Sequence, residues 1–345
     1  MTSSASDQFC WLGRLGRGAV MAAVLAVAAA ASAADAAPGG SPFRFVEQPK
    51  DGTLTLYEAD RPVLVYNFTD RLKPGLPADR KRACYLHPIY GLDGETLTQD
   101  FPPEGHFHHR GLCWAWAEVK VQGQLTDPWD LRHIRASFSK WTERRADPDT
   151  ATLAAEDDWV LDGTQVVATE VVCLRVHKAT DVGRAIDFQW RIEPKVAPLE
   201  IGGRKKAGYG GLLFRFPSLK QTVITTDQGP QPKDANLKPC VWADLSSQFG
   251  KGDKRSGAAI FLHPQHPGMS VGWTLRNYGL LNPAFPGTAS IALTPGKPLV
   301  LQYRLWLHRA DAVAGGVRQA YEAYRKELGQ AATKSEKWGQ SAVSH

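Results

Sequence analysis

The chain has 345 residues, 43% of them hydrophobic and 22% charged, and a formal net charge of +6. Its basic residues are scattered rather than striped, and the tightest cluster, Arg204-Lys205-Lys206, reads as a solvated loop. An excess of this size acts mainly on solubility, so nucleic acid is not an expected partner. None of the five cysteines forms a CxxC pair, which argues against a zinc ribbon or a thioredoxin-type redox motif.

The first 36 residues read as a secretory signal. Arg14 and Arg17 precede an apolar run from Ala19 to Ala31, and small-x-small cleavage sites follow at Ala31-Ser32-Ala33 and Ala34-Asp35-Ala36. The run is shorter than the ~20 residues of a membrane span, and no later stretch approaches one. A periplasmic or extracellular protein, with no membrane contact once the signal is cleaved, is the expectation. Cleavage after Ala36 removes Arg14 and Arg17 together with Asp7 and Asp35, so the charge stays at +6. The cysteines left are Cys84, Cys113, Cys173 and Cys240; export permits disulfides, but spacing does not reveal connectivity.

Strand signals dominate the remainder. Leu54–Tyr57 and Val63–Phe68 form a hairpin with Pro62 at an edge position. Ile186, Phe188, Trp190 and Ile192 alternate with Asp187, Gln189 and Arg191, and Leu301 to His308 alternates likewise, the period of a half-buried strand. Further strands are expected at Leu131–Trp141, Thr152–Val160, Val166–His177, Gly211–Phe216, Thr222–Thr226, Ala258–His263 and Ser270–Leu275. One helix is expected from Asp311, its N-cap, to Leu328, with Gly329 as the stop. Many strands without alternating helices predict an all-β fold. We expect a large antiparallel β-sandwich with one C-terminal helix, a single domain over 37–330 and a disordered tail over 331–345, in a monomer.

The segment His87–Glu118 concentrates reactive side chains. Four of the ten histidines (His87, His106, His108, His109) lie there with Asp93, Glu95, Asp100 and Arg110. If Gly111–Val121 is extended, Arg110, Leu112, Trp114, Trp116, Glu118 and Lys120 share one face, and Gly111, Cys113, Ala115, Ala117 and Val119 the other. The small residues suit contact with a second sheet, while Trp114 and Trp116 are either core residues or a shelf on which a sugar ring can stack, the shelf reading being favoured for Trp116, nearer Glu118. Two mechanisms are open. His108 or His109 acts as general acid/base, with Arg110 stabilising an oxyanion and Glu118, Glu95 or Asp100 as the complementary proton site. Alternatively His106, His108 and His87 ligate a divalent metal, with His109 pointing away; otherwise no cofactor is expected.

The blocks PVLVYNF (62–68), HPIYGLDGETLTQDFPPEGHFHHRGLCWAW (87–116), GYGGLLFRFP (208–217), AIFLHPQHPG (259–268) and WTLRNYGLLNP (273–283) resemble an exported bacterial family catalogued as PmoA-like, "methane oxygenase PmoA". That label implies several membrane-spanning helices, of which none is expected after the signal, so the named activity is not carried over. At the level of fold the chain is similar to galactose mutarotase-like super-sandwich proteins. That similarity implies a concave face holding His108, His109 and Arg110, with substrate hydroxyls held by Asp93, Gln99 or Asp100; His87 and Tyr90 are further candidate substrate contacts. His263, Trp273 and Arg276 would form the opposite wall, beside His266 and Asn277. The resulting expectation is a carbohydrate-active protein working on a sugar, sugar derivative or oligosaccharide, or else a non-catalytic carbohydrate binder.

Overall fold

The computed structural model describes residues 41–103, 105–250 and 254–341, without side chains beyond residue 330. The expected signal segment, 1–36, lies outside the described residues. Among the described residues the strands form two nine-stranded sheets and one of four strands. The first sheet runs, in spatial order, through Phe43–Gln48, Thr53–Glu58, Arg61–Asn67, Tyr85–Ile89, Leu112–Trp116, Gly210–Arg215, Leu280–Pro283, Trp273–Arg276 and Ala235–Lys238. The second runs through Gly229–Pro230, Val223–Thr226, Trp242–Ser247, Ser256–Leu262, Leu299–Arg309, Gly183–Pro194, Gln165–His177, Thr150–Leu161 and Ile134–Ala146. Paired strands throughout are antiparallel, as expected for an all-β chain of hairpins.

The two large sheets face each other across one hydrophobic core, to which both contribute. Trp116 of the first sheet stacks on Trp190 of the second, with centroids 4.5 Å apart and planes 18° from parallel. Buried beside this stack, Glu170 accepts hydrogen bonds from three indole N–H groups: Trp114 (2.7 Å), Trp159 (2.6 Å) and Trp190 (2.7 Å). Its cross-strand neighbour Asp157 accepts from the Tyr66 hydroxyl at 2.7 Å. Two carboxylates inside an apolar layer are tolerated only because each finds donors. Burial and the Asp157 charge nevertheless push Glu170 up to about 8, against the pull of the three indoles.

The alternating strands stand close to where periodicity puts them, with the long hairpin arms extending further than expected. The helix is displaced: it spans Val317–Ser341. Asp311 does cap, but it caps a preceding turn, its Oδ1 accepting from the N–H groups of Val313 and Ala314, both at 2.9 Å. Gly329 does not end the helix, which crosses residue 330 into the stretch expected as a disordered tail. Tyr321 and Tyr324 pack against Phe261 and Trp242, so both tyrosines belong to a satellite core. Cys84, Cys113 and Cys240 are buried free thiols. No helix among the described residues is long and apolar enough to cross a membrane.

The expected continuous strand Gly111–Val121 is two strands in different sheets. Leu112–Trp116 lies inside the first sheet, and Glu118–Val121 pairs with Leu199–Gly202 in the four-stranded one. Alternation holds within Leu112–Trp116, but the roles of its faces are the reverse of those expected. Leu112, Trp114 and Trp116 point into the main core. The small face, Cys113 and Ala115 with Ala117 beyond, lies under Tyr85, Trp129, Leu213 and Leu280, with Tyr209 and Tyr278 at its margin.

Candidate functional site

The histidine-bearing loop lies on this small-residue side. Its two ends are held firmly. Gln99 and Gly111 pair through backbone hydrogen bonds with each other and with Arg215, and Asp100 bridges Arg110. Gly111 has φ +41°, and a Cβ there would stand 2.1 Å from the Leu86 carbonyl oxygen, so only glycine permits this approach. Arg110, fully buried, donates to Asp100 Oδ1 at 3.2 Å and to the Arg80 carbonyl, with its guanidinium 3.2 Å from the centre of the Phe101 ring. Asp100 accepts in turn from the Tyr85 hydroxyl at 2.8 Å. Arg110 is therefore the anchor of the loop. The expected oxyanion role does not suit a guanidinium that is sealed from solvent, with both terminal nitrogens engaged and Nε buried without a partner.

Between these anchors the chain turns. The His109 N–H donates to the His106 carbonyl at 2.9 Å, a hydrogen bond from residue i+3 to residue i. The extended His-x-His geometry, in which His109 points away, does not form. The turn brings His106, His108 and His109 together instead, with one nitrogen from each within 4.8 Å of the others. The His106 and His109 rings are stacked, 4.9 Å apart and 8° from parallel, and His108 stands edge-on to His109 at 4.4 Å. His87 is not a member: it sits on the neighbouring strand with Nδ1 2.9 Å from Thr98 Oγ1.

Around the cluster stand residues that sequence patterning does not single out. His108 Nδ1 is 3.2 Å from Asp130 Oδ1, a carboxylate also held by Arg80 (3.0 Å) and Arg132 (2.6 Å). Trp129 presents its ring edge-on to His109 at 5.9 Å, and half-buried Tyr278 stacks on His106, 5.9 Å away and 9° from parallel. Tyr209 packs on Trp129 and hydrogen-bonds Arg204, which is paired with Asp127. The Asp127-Pro128-Trp129-Asp130 turn carries the only local signal that could have pointed here, since Asp-Pro marks turns.

Burial controls the protonation of these imidazoles. His108 is pushed down to about 4 by burial, with Asp130 pulling the other way, and burial together with the neighbouring His108 and His106 lowers His109 well below the usual imidazole range. Both are neutral near pH 7, with lone pairs available. His109 Nδ1 is buried and has no hydrogen-bond partner.

The remaining expected site residues are dispersed. Trp114 and Trp116 are core, with relative exposures of 5% and 0%, and Trp116 donates to the Phe285 carbonyl at 2.7 Å. Neither offers the expected shelf. Glu118, on the four-stranded sheet, accepts from the Lys205 N–H at 3.0 Å. Asp93 is exposed and pairs with Arg309 at 2.9 Å. Tyr90 is half-buried and bridges Thr96 through its backbone. Gln99 serves the loop base through its backbone, and its Oε1 is buried without a partner. Trp273 is fully buried and donates to the Cys240 carbonyl at 2.7 Å. His263 packs edge-on to Tyr324 of the helix. Arg276 donates to the Ala235 carbonyl at 2.7 Å on the outermost strand pair, two residues before Tyr278. A small cavity of ≈ 20 Å³, room for about one water, lies on the Glu170 side of the same region, lined by Arg82, Trp114, Trp159 and Glu170.

A family model covers residues 53–322, and its description is a family of unknown function, DUF6807. The chain belongs to that family. Its description names no activity. No curated protein matches the sequence. Among solved structures, a galactose 1-epimerase from Lactobacillus acidophilus is 8% identical over 78% of this chain and 95% of its own, at a TM-score of 0.32. A heparan sulfate lyase mutant from Pedobacter heparinus is 8% identical over 82% of this chain, at a TM-score of 0.30. The chain spans 38% of that lyase's length, and 34% of a human-microbiome chain assigned as a kojibiose phosphorylase. Likenesses this slight carry no argument about activity.

Proposed function

We propose that this is an exported carbohydrate-active enzyme whose reacting centre is the His106, His108 and His109 cluster. The convergence of three imidazoles beside the half-buried face of Tyr278 carries the reading. Imidazole lone pairs are the groups that take a proton from, or polarise, a sugar hydroxyl or carbonyl. An aromatic face suits the C–H surface of a sugar ring. The tyrosines Tyr278 and Tyr209 take the part that Trp114 and Trp116 were expected to play, and Arg204, Asp127 and Arg132 offer hydrogen-bonding groups at the rim. A loop held at both ends by a sheet is the setting in which catalytic side chains are positioned. The signal-like start of the chain supports placing this chemistry in the periplasm or outside the cell.

The test is a thermal-shift screen against neutral and oxidised mono- and oligosaccharides, followed by turnover assays on any binder. A ligand at 100 times its Kd stabilises by about 2.7 kcal/mol. Tyr278→Ala should abolish the shift, and His108→Ala should abolish turnover with the fold retained. Binding that survives Tyr278→Ala and all three histidine substitutions would place the sugar elsewhere and overturn the proposal. Sugar binding lost with Tyr278, but with no turnover of any bound sugar, would reduce the protein to a carbohydrate binder.

A further inference from the structure

The three imidazoles form a donor set with no carboxylate or thiolate in it. Nitrogens bound at about 2.0–2.1 Å to one tetrahedral ion stand roughly 3.3 Å apart. The cluster nitrogens already lie within 4.8 Å of one another, and the stacked His106 and His109 rings must turn for their in-plane lone pairs to converge on one ion. Three further observations are those of a ligand site rather than of a packed core. His109 Nδ1 is buried with no hydrogen-bond partner, an arrangement that a folded protein seldom leaves without a use. Asp130 engages His108 through Nδ1 at 3.2 Å, which leaves Nε2 as the free donor and reproduces the carboxylate–histidine pairing that orients metal-bound imidazoles. Asp130 is itself fixed by Arg80 at 3.0 Å, by Arg132 at 2.6 Å and by its own N–H to Asp127. It is committed as a support and is not a fourth ligand.

We infer that His106, His108 and His109 together bind one divalent transition-metal ion of the zinc class. Imidazole donors suit zinc, copper, nickel and iron, whereas magnesium and calcium take oxygen ligands. Three protein ligands leave a coordination position open, as in catalytic rather than structural zinc sites. In that position a sugar oxygen or a water would bind directly. The ligand set differs from the expected His87, His106 and His108: a turn, not a strand, arranges it. The inference stands on the cluster's geometry and does not require the substrate to be a sugar.

The experiment uses the full chain freed of metal by a chelator and then titrated calorimetrically with Zn²⁺. Co²⁺ absorption serves as the spectroscopic probe. One equivalent should bind per chain, and Co²⁺ should give the intense visible bands of a tetrahedral site. His106→Gln, His108→Ala and His109→Ala should each weaken Zn²⁺ binding at least 100-fold. Asp130→Asn should weaken it ten- to 100-fold, the usual cost of an outer-shell partner. His133→Asn removes an exposed histidine paired with Asp162 and should leave binding unchanged. Circular dichroism checks the fold of each variant, and His106→Gln, at a half-buried position, is the one best tolerated. The inference is overturned if no stoichiometric binding is found, or if binding survives all three histidine changes. The sugar screen is read on both metal-free and Zn²⁺-loaded protein, so either proposal can fail alone.

Discussion

Glu170 makes a prediction about stability that runs opposite to ordinary acid denaturation. Its carboxyl is 1% exposed and is pushed from 4.5 up to about 8 by burial and by Asp157 across the strand pair. Between those values the native protein holds a proton that the unfolded chain has released. The stabilisation from that proton is complete below about pH 4.5 and is lost as pH rises through about 8. The slope inside the window is about 1.4 kcal/mol per pH unit. Other groups titrate in the same range, so the comparison is with Glu170→Gln, which keeps the shape and removes the ionisation. Urea unfolding followed by tryptophan fluorescence reports on the three indoles that surround the group. From about pH 5.5 to about pH 7.5 the native protein should lose roughly 3 kcal/mol more than Glu170→Gln does. The variant itself should start less stable, because its amide sets an N–H against an indole donor, and a buried unsatisfied donor costs about 1–3 kcal/mol. Identical pH slopes in the two proteins would refute the reasoning.

Trp116→Ala should cost about 3–5 kcal/mol of unfolding free energy, as large-to-small core changes do; a urea midpoint unchanged from the native protein would return Trp116 to the surface. Gly111→Ala should lower the melting temperature and abolish Zn²⁺ binding together, since its Cβ would meet the Leu86 carbonyl oxygen at 2.1 Å and move the loop base; calorimetry on this variant checks both. The buried His308 lies with Nε2 2.7 Å from Asp244 and Nδ1 3.0 Å from the Arg309 carbonyl. Burial pulls this imidazole down, but Asp244 outweighs it and holds it raised. Its stabilisation should therefore be full below about pH 6.5 and be lost as pH rises through the raised value. Asp244→Asn should remove this pH dependence, because burial then keeps the imidazole neutral, and denaturant titrations of this variant across that range measure it.

The sheets are legible because half-buried strands alternate, as Ile186–Ile192 and Leu301–His308 do. The helix start is misread because Asp311 is a true cap whose turn precedes the helix by several residues. The site is legible only as a neighbourhood. Both faces of Leu112–Trp116 are buried, so alternation separates two faces without saying which of them looks toward the histidines. The small residues Cys113 and Ala115 turn out to be the floor of the site because they leave room for Trp129 and the loop above. The turn at 106–109 hinges on one hydrogen bond and a pinned arginine, neither of which has a periodic signature. Asp130 and Tyr278 reach the cluster from distant parts of the chain, through strand pairings that composition does not encode. Arg110 looks catalytic in sequence because guanidinium chemistry and loop anchoring use the same side chain.

The most direct test of the three-histidine centre is anomalous scattering from crystals of the full chain soaked with Zn²⁺, recorded on both sides of the zinc edge. The account predicts one strong peak bonded to His106, His108 and His109, with Asp130 in contact with His108 and not with the ion. Zinc found at other residues only, or three imidazoles still unbridged at saturating metal, would contradict it.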